Sequence, residues 1–267
     1  LPPMTASLPP LPLPDGIRSR SIPGINGLEM HILEAGHETA GRPCLLLLHG
    51  FPELAFSWRK VMVPLAQAGY HVVAPDHRGY GRTTGWDPRY DGDLRSFGFL
   101  NLARDTIGLV DALGLRSVAA VVGHDFGSPL AAWCALIRPD VFPALVMMSA
   151  PFGGPPALPG AARPGLPAAA ALDAALAALS PPRKHYQWYY SGREAEHDML
   201  ACAQGLHAFL RAYYHHKSAD WAHNRPFPLA STAASEFARL PTYYVMRRDQ
   251  TMAETVAEEM PDAATVA

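Results

Sequence analysis

Five consecutive residues without a charged or amide side chain, Cys44-Leu45-Leu46-Leu47-Leu48, constrain this chain more than any other stretch. A short run that is apolar on both alternating faces suits a strand covered on both sides, the situation in a parallel sheet sandwiched by helices. Comparable runs follow at helix-length intervals: His71-Val72-Val73-Ala74-Pro75, Ser117-Val118-Ala119-Ala120-Val121-Val122 and Ala144-Leu145-Val146-Met147-Met148. Helix patterns fill the gaps, one with Trp58, Val61, Met62 and Leu65 on a single face and another from about Phe97 to Leu113. This alternation implies right-handed crossovers and a mainly parallel sheet, an α/β fold. Ahead of it, Arg18 to Ala35 reads as two short strands around the turn signal Gly24-Ile25-Asn26-Gly27, an antiparallel start.

Three of these runs end in residues that carry chemistry. The third is followed by Gly123-His124-Asp125-Phe126-Gly127 and then a helix-like stretch from Ser128 to Ile137. Strand, small-x-nucleophile-x-small turn and helix is the layout of a nucleophile elbow, with Asp125 at its exposed centre. The flanking glycines are expected because a Cβ there would collide where strand and helix backbones converge. His49-Gly50-Phe51-Pro52-Glu53 follows the first run, and Asp76-His77-Arg78-Gly79-Tyr80-Gly81 the second.

Composition divides the rest. Residues 1–16 are proline-rich and read as an extended, mobile arm, residues 17–152 as the α/β core, and residues 153–267 as a helical insertion over the C-terminal strand ends. The last part shows helical periodicity without a buried β run, clearest in a stripe of Met199, Ala203, Leu206, Phe209 or Leu210, and Tyr213. A formal net charge of −2 gives no basic field for nucleic acid and no polybasic membrane face, so a small substrate fits better. Cys44, Cys134 and Cys202 match neither a disulfide framework nor a metal-ligand spacing and are read as reduced thiols; no cofactor or metal is expected. Apolar stretches are too short or too broken for a membrane span, and a cytoplasmic location is expected.

With the three strand-end motifs in this order, the sequence resembles the α/β-hydrolase superfamily and, within it, the soluble epoxide hydrolases, over roughly residues 20 to 260. The resemblance implies an α/β-hydrolase core, a mostly parallel sheet flanked by helices, with a helical cap. It also implies a small apolar epoxide as substrate, with Asp125 as the nucleophile that forms an alkyl-enzyme ester. The segment Lys184-His185-Tyr186-Gln187-Trp188-Tyr189-Tyr190 resembles the one carrying the first cap tyrosine, which places Tyr186 as proton donor to the opening ring. Backbone N–H groups of Phe51 and Phe126 are the implied oxyanion donors, with a cis Phe51-Pro52 bond. A carboxylate needs no general base to attack a saturated carbon, and a phenol can protonate an alkoxide at neutral pH. Asp76 and Arg78 read as a structural turn, and His49 and His124 as residues satisfying local backbone groups.

The same resemblance implies a second acid and a histidine after the cap, whereas the last histidine here is His223, Ser149-Ala150-Pro151-Phe152 offers no acid, and the first residue is Leu1. The expectation is therefore a fragment or truncated product ending inside the cap. It would lack the C-terminal core strands, leave an apolar edge around Ala144 to Met148, and be prone to aggregate. Two alternatives to an epoxide hydrolase stand beside it: a haloalkane or haloacid dehalogenase using the same aspartate chemistry, and a non-catalytic ligand-binding protein of this fold. Oligomeric state is open.

Overall fold

Asn26 and Gly27, at φ of 48° and 82°, supply the two left-handed residues that a two-residue hairpin turn requires. They join β1 (Ile17–Ile25) to β2 (Leu28–Ala35), with Ile25 paired to Leu28 across the turn. This is a computed structural model; it describes residues 8–155 and 169–260. The chain forms two compact units, residues 1–156 and 157–267.

In the first unit the hairpin leads into β3 (Cys44–Leu48), α1 (Arg59–Gln67), β4 (His71–Pro75), α2 (Phe99–Ala112), β5 (Ala120–His124), α3 (Gly127–Ile137) and β6 (Leu145–Met148). The sheet order is β1-β2-β4-β3-β5-β6, antiparallel through β4 and parallel from β4 to β6. The alternation in β3 shows why its run is apolar throughout. Leu46 and Leu48 enter a core with Val73, Val121, Leu102, Leu109 and Leu130, while Leu47 faces Val72, Ala74, Met62 and Ala66 on the other side. Each such leucine contributes about 1.5–3 kcal/mol by leaving water.

The connections also fix where a ligand can sit. From β3 the chain crosses to β4 on one side, and from β5 it crosses to β6 on the other, so the loops leave these two adjacent strands in opposite directions. The crevice beyond the carboxyl ends of strands at such a reversal is where open α/β sheets bind ligands. Leu48 pairs with Gly123, which brings the Phe51 loop and the elbow to the same level.

Some expectations change. Leu11 and Leu13 are half-buried against the Leu33–Leu47 core, so this part of the proline-rich arm is docked, its leucines spaced to reach one face; residues 1–7 lie outside the described set. The helix expected from Phe97 begins at Phe99, after a separate 3₁₀ turn over Leu94–Phe97. β5 extends through Gly123 and His124. Among the described residues β6 pairs only with β5, and Leu145 to Met148 are each 37–47% exposed.

The second unit contains α4 (Ala169–Ala177), β7 (Arg183–His185), α5 (Tyr186–Tyr190), α6 (Ala195–Leu200), α7 (Leu206–Lys217), α8 (Ala234–Phe237), β8 (Val245–Arg247) and α9 (Met252–Glu259). It is not purely helical: β7 and β8 form an antiparallel pair, with Val245 and Met246 fully buried. Three-residue strands are too short to show a period of two, which is why the sequence reading missed them. The single stripe from Met199 to Tyr213 is two helices, separated by a turn that ends at Gly205 with φ 75°. Phe209, Tyr213, Tyr243, Met246, Met252 and Val256 make the core of this unit. Residues 156–168 of the Gly/Pro/Ala-rich stretch and the tail from residue 261 lie outside the described set.

Candidate active site

β5 ends one residue before Asp125, and the chain turns directly into α3. Asp125 has φ 53°, a left-handed conformation that costs an L-residue roughly 1–2 kcal/mol and persists only where the surroundings impose it. Those surroundings are backbone. An added Cβ at Gly123 would lie 2.0 Å from the Gly127 carbonyl oxygen, and one at Gly127 would lie 2.4 and 2.5 Å from those of Leu48 and His49. At Gly50 it would sit 2.2 Å from Asp125 Cβ. Three segments converge with no space for a side chain, so glycine is required at all three positions. The Asp125 N–H donates to the Met148 carbonyl at 3.1 Å, and the Asp125 carbonyl accepts from the Ser128 N–H at 2.9 Å, which ties the bend to β6 and α3.

The structure brings Phe51 to this aspartate. The Phe51 N–H donates to Asp125 Oδ1 at 2.9 Å, and the Phe51-Pro52 peptide is cis. Phe126 stands at the start of α3 in helical conformation, so its N–H belongs to the helix's first turn, where N–H groups lack intrahelical partners. Its ring stacks on Tyr80 at 5.6 Å and tilts against His77 at 5.4 Å.

Both imidazoles behind this wall are committed. His49 Nε2 accepts the His77 N–H at 3.1 Å, which leaves His49 Nδ1 to donate to the Gly50 carbonyl at 2.9 Å; His77 Nε2 in turn donates to the His49 carbonyl at 3.1 Å. Burial lowers the pKa of both, that of His77 strongly, so both rings are neutral at pH 7. His49 thus serves backbone groups, as expected. For His124 the partner is a carboxylate instead: its Nδ1 lies 3.0 Å from Glu53 Oε2, a pairing that joins the residue before Asp125 to the Phe51 loop. Sequence separation hid this contact, although Glu53 stands in the first strand-end motif.

Asp76 and Arg78 organise the turn after β4. Asp76 accepts N–H groups from Ala55 at 2.9 Å and Arg82 at 3.0 Å, and Arg78 makes a two-bond fork with Asp105 on α2, both bonds 2.8 Å. Tyr186 belongs to the second unit, where it opens α5; its N–H donates to the Tyr244 carbonyl at 2.8 Å and its ring meets that of Tyr244 at 5.4 Å. Of the other tyrosines in this unit, Tyr213 and Tyr243 are buried core residues, and Tyr189 donates to Asp198 at 3.1 Å. Among the described residues no group of three His, Cys, Asp or Glu side chains could hold a metal ion, and no helix is long and apolar enough to cross a membrane.

A mostly parallel sheet whose neighbouring strands β3 and β5 end in an amide-bearing loop and an aspartate elbow defines an α/β hydrolase. The chain belongs to the alpha/beta hydrolase fold family, whose model matches residues 43–200. Its similarity within that family is to epoxide hydrolases. An epoxide hydrolase of Caballeronia sordidicola is 43% identical over 127 residues, 48% of this chain and 36% of that protein. Epoxide hydrolase B of Mycobacterium tuberculosis is 35% identical over 191 residues, 67% of this chain and 50% of that one. The solved structure of an epoxide hydrolase from an endophytic Streptomyces matches with a TM-score of 0.65 at 30% identity, covering 91% of this chain and 62% of that one. The matched stretch thus spans at most half the length of these curated relatives.

Proposed function

We propose that Asp125 opens a small apolar epoxide by attacking a ring carbon, giving an alkyl-enzyme ester. The observation that carries this reading is the hydrogen bond from the Phe51 N–H to Asp125 Oδ1. It engages one carboxylate oxygen and leaves Oδ2 as the attacking atom. Once Oδ2 has formed the ester, Oδ1 is the carbonyl oxygen and already lies against an N–H donor. When water then adds to the ester carbon, the negative charge develops on Oδ1, where Phe51 and Phe126 N–H groups would stabilise it, an arrangement that needs no reorganisation during the step. Tyr186 is the proposed proton donor to the ring oxygen. Support for the substrate class comes from the epoxide hydrolases among the relatives. Against a dehalogenase stands Phe126, whose ring is stacked on Tyr80 and offers a halide no N–H.

The alkyl-enzyme ester on Asp125 is the species that tests this reading. Incubation with styrene oxide, followed by intact-mass and peptide analysis, should show one adduct per chain, located on Asp125, and none in Asp125→Asn. An adduct on another residue, or an undiminished adduct in Asp125→Asn, would remove Asp125 as the nucleophile.

A further inference from the structure

A second set of residues, at the other end of the sheet, has the connectivity of a hydrolytic triad. Ser19 Oγ lies 2.8 Å from His31 Nε2, and His31 Nδ1 lies 2.7 Å from Asp76 Oδ2. The strand order places β2, β4 and β3 between Ser19 on β1 and the elbow on β5. At a strand spacing of about 4.8 Å that is roughly 19 Å from Asp125.

The roles follow from hydrogen-bond chemistry. Asp76 accepts from His31 Nδ1–H, and in the neutral tautomer this leaves Nε2 to accept the Ser19 hydroxyl proton. Burial runs in the sense such a relay needs: the His31 and Asp76 side chains are 3% and 4% exposed, whereas Ser19 is exposed. Two further N–H donors, from Ala55 and Arg82, hold the aspartate, so the imidazole is oriented by a carboxylate that is itself fixed. Ser19 and His31 also line a pocket of about 260 Å³ together with Arg20, Arg82, Ser21 and Thr84. That volume suits a small ligand. Arg20 alternates with Ser19 along β1, and its guanidinium turns to Glu34 on the opposite face of the sheet, so it is not a donor to this site.

We propose that Ser19, His31 and Asp76 form a second nucleophilic site that takes small carboxylic esters. Ser19 Oγ bonds to the acyl carbon while its proton passes to His31 Nε2; the ester's C–O bond breaks, and the alcohol leaves with that proton. The nucleophile of this site is distinct from Asp125, although Asp76 also braces the loop that carries Phe51.

The test uses an alkyl fluorophosphonate, for which the balance is simpler: the Oγ–P bond forms, the P–F bond breaks, fluoride leaves, and the proton goes to His31. The 267-residue chain should gain one phosphonyl group, mapped by peptide sequencing to Ser19. Ser19→Ala, a change at an exposed position, should abolish it. His31→Gln should slow labelling at least tenfold with the circular dichroism spectrum retained. Labelling of wild type confined to other residues, no labelling at millimolar probe, or an unchanged rate in folded His31→Gln would overturn the proposal. If His31→Gln does not fold, wild type against Ser19→Ala still decides it.

Discussion

Replacing Gly123 by alanine tests whether backbone convergence at the elbow is as tight as the geometry requires. The new Cβ would sit 2.0 Å from the Gly127 carbonyl oxygen and 2.6 Å from Ser128 Cα, whereas ordinary contacts begin near 3.4 Å, so the elbow must open by about 1.4 Å. It cannot do so cheaply. β5 is paired on one side to β3 and on the other to β6, and the clashing atoms are main chain rather than the end of a flexible side chain. Overpacking with limited relaxation costs about 1–3 kcal/mol, and this site belongs at the upper end. For a unit of this size about 3 kcal/mol corresponds to a fall in Tm of roughly 6–12 °C. Gly153→Ala is the control, because nothing lies within 4 Å of its added Cβ, and a shift inside about 0.5 kcal/mol is expected there. Thermal denaturation followed by circular dichroism compares the two. A Gly123→Ala protein that melts within 2 °C of the control would refute the close-approach argument. In the fraction that folds, a displacement of this size should slow alkylation of Asp125 by about 100-fold.

Two further expectations concern charges. Asp105→Leu removes the partner of a buried guanidinium, since the Arg78 and Asp105 side chains are 7% and 4% exposed, and should cost about 3–5 kcal/mol in denaturant unfolding; adding Arg78→Met should recover much of that loss, and a double variant no more stable than the single would contradict it. Burial alone would raise the pKa of Glu34, but hydrogen bonds from His71, Arg20 and Arg18 outweigh it and hold the carboxyl well below the usual range. The folded state then binds fewer protons than the unfolded one on acidification, so this stabilisation is complete above an unfolded pKa of about 4.3 and is lost as pH falls further. Unfolding free energies measured between pH 6 and pH 3 should fall less steeply in Glu34→Gln than in wild type, and equal slopes would count against the assignment.

The parallel layers were legible because each β run is bounded by turn residues and is apolar on both faces, and Leu45 to Leu48 do divide between two cores. The elbow was legible for a related reason: Gly50, Gly123 and Gly127 stand where a Cβ would strike another segment, and steric necessity leaves its trace in residue identity. What the sequence concealed were pairings between distant side chains and elements without a period. His124 with Glu53 spans 71 positions, and β7 and β8 are three residues each. Ser19, His31 and Asp76 were unreadable for the first reason. Serine and histidine on neighbouring strands carry no signature until the register places Ser21 opposite His31, which leaves Ser19 diagonal to it on the same face.

Asp76 connects the two sites, and this bears on how each can be probed. Its Oδ1 accepts the Ala55 N–H, which fixes the exit of the loop whose Phe51 N–H reaches Asp125. Its Oδ2 orients His31 and accepts the Arg82 N–H, close enough to Gly81 that an added Cβ there would lie 2.2 Å from it. Burial would raise its pKa, but bonds from His31, Arg82 and Ala55 more than offset that, so the group is ionised at neutral pH. An amide at this position could accept with one atom only, and its NH₂ would face donors. Asp76→Asn should therefore lower fluorophosphonate labelling at Ser19 and epoxide alkylation at Asp125 together. Changes at Ser19 and Phe51, which lie on separate arms of this network, should affect their own sites singly.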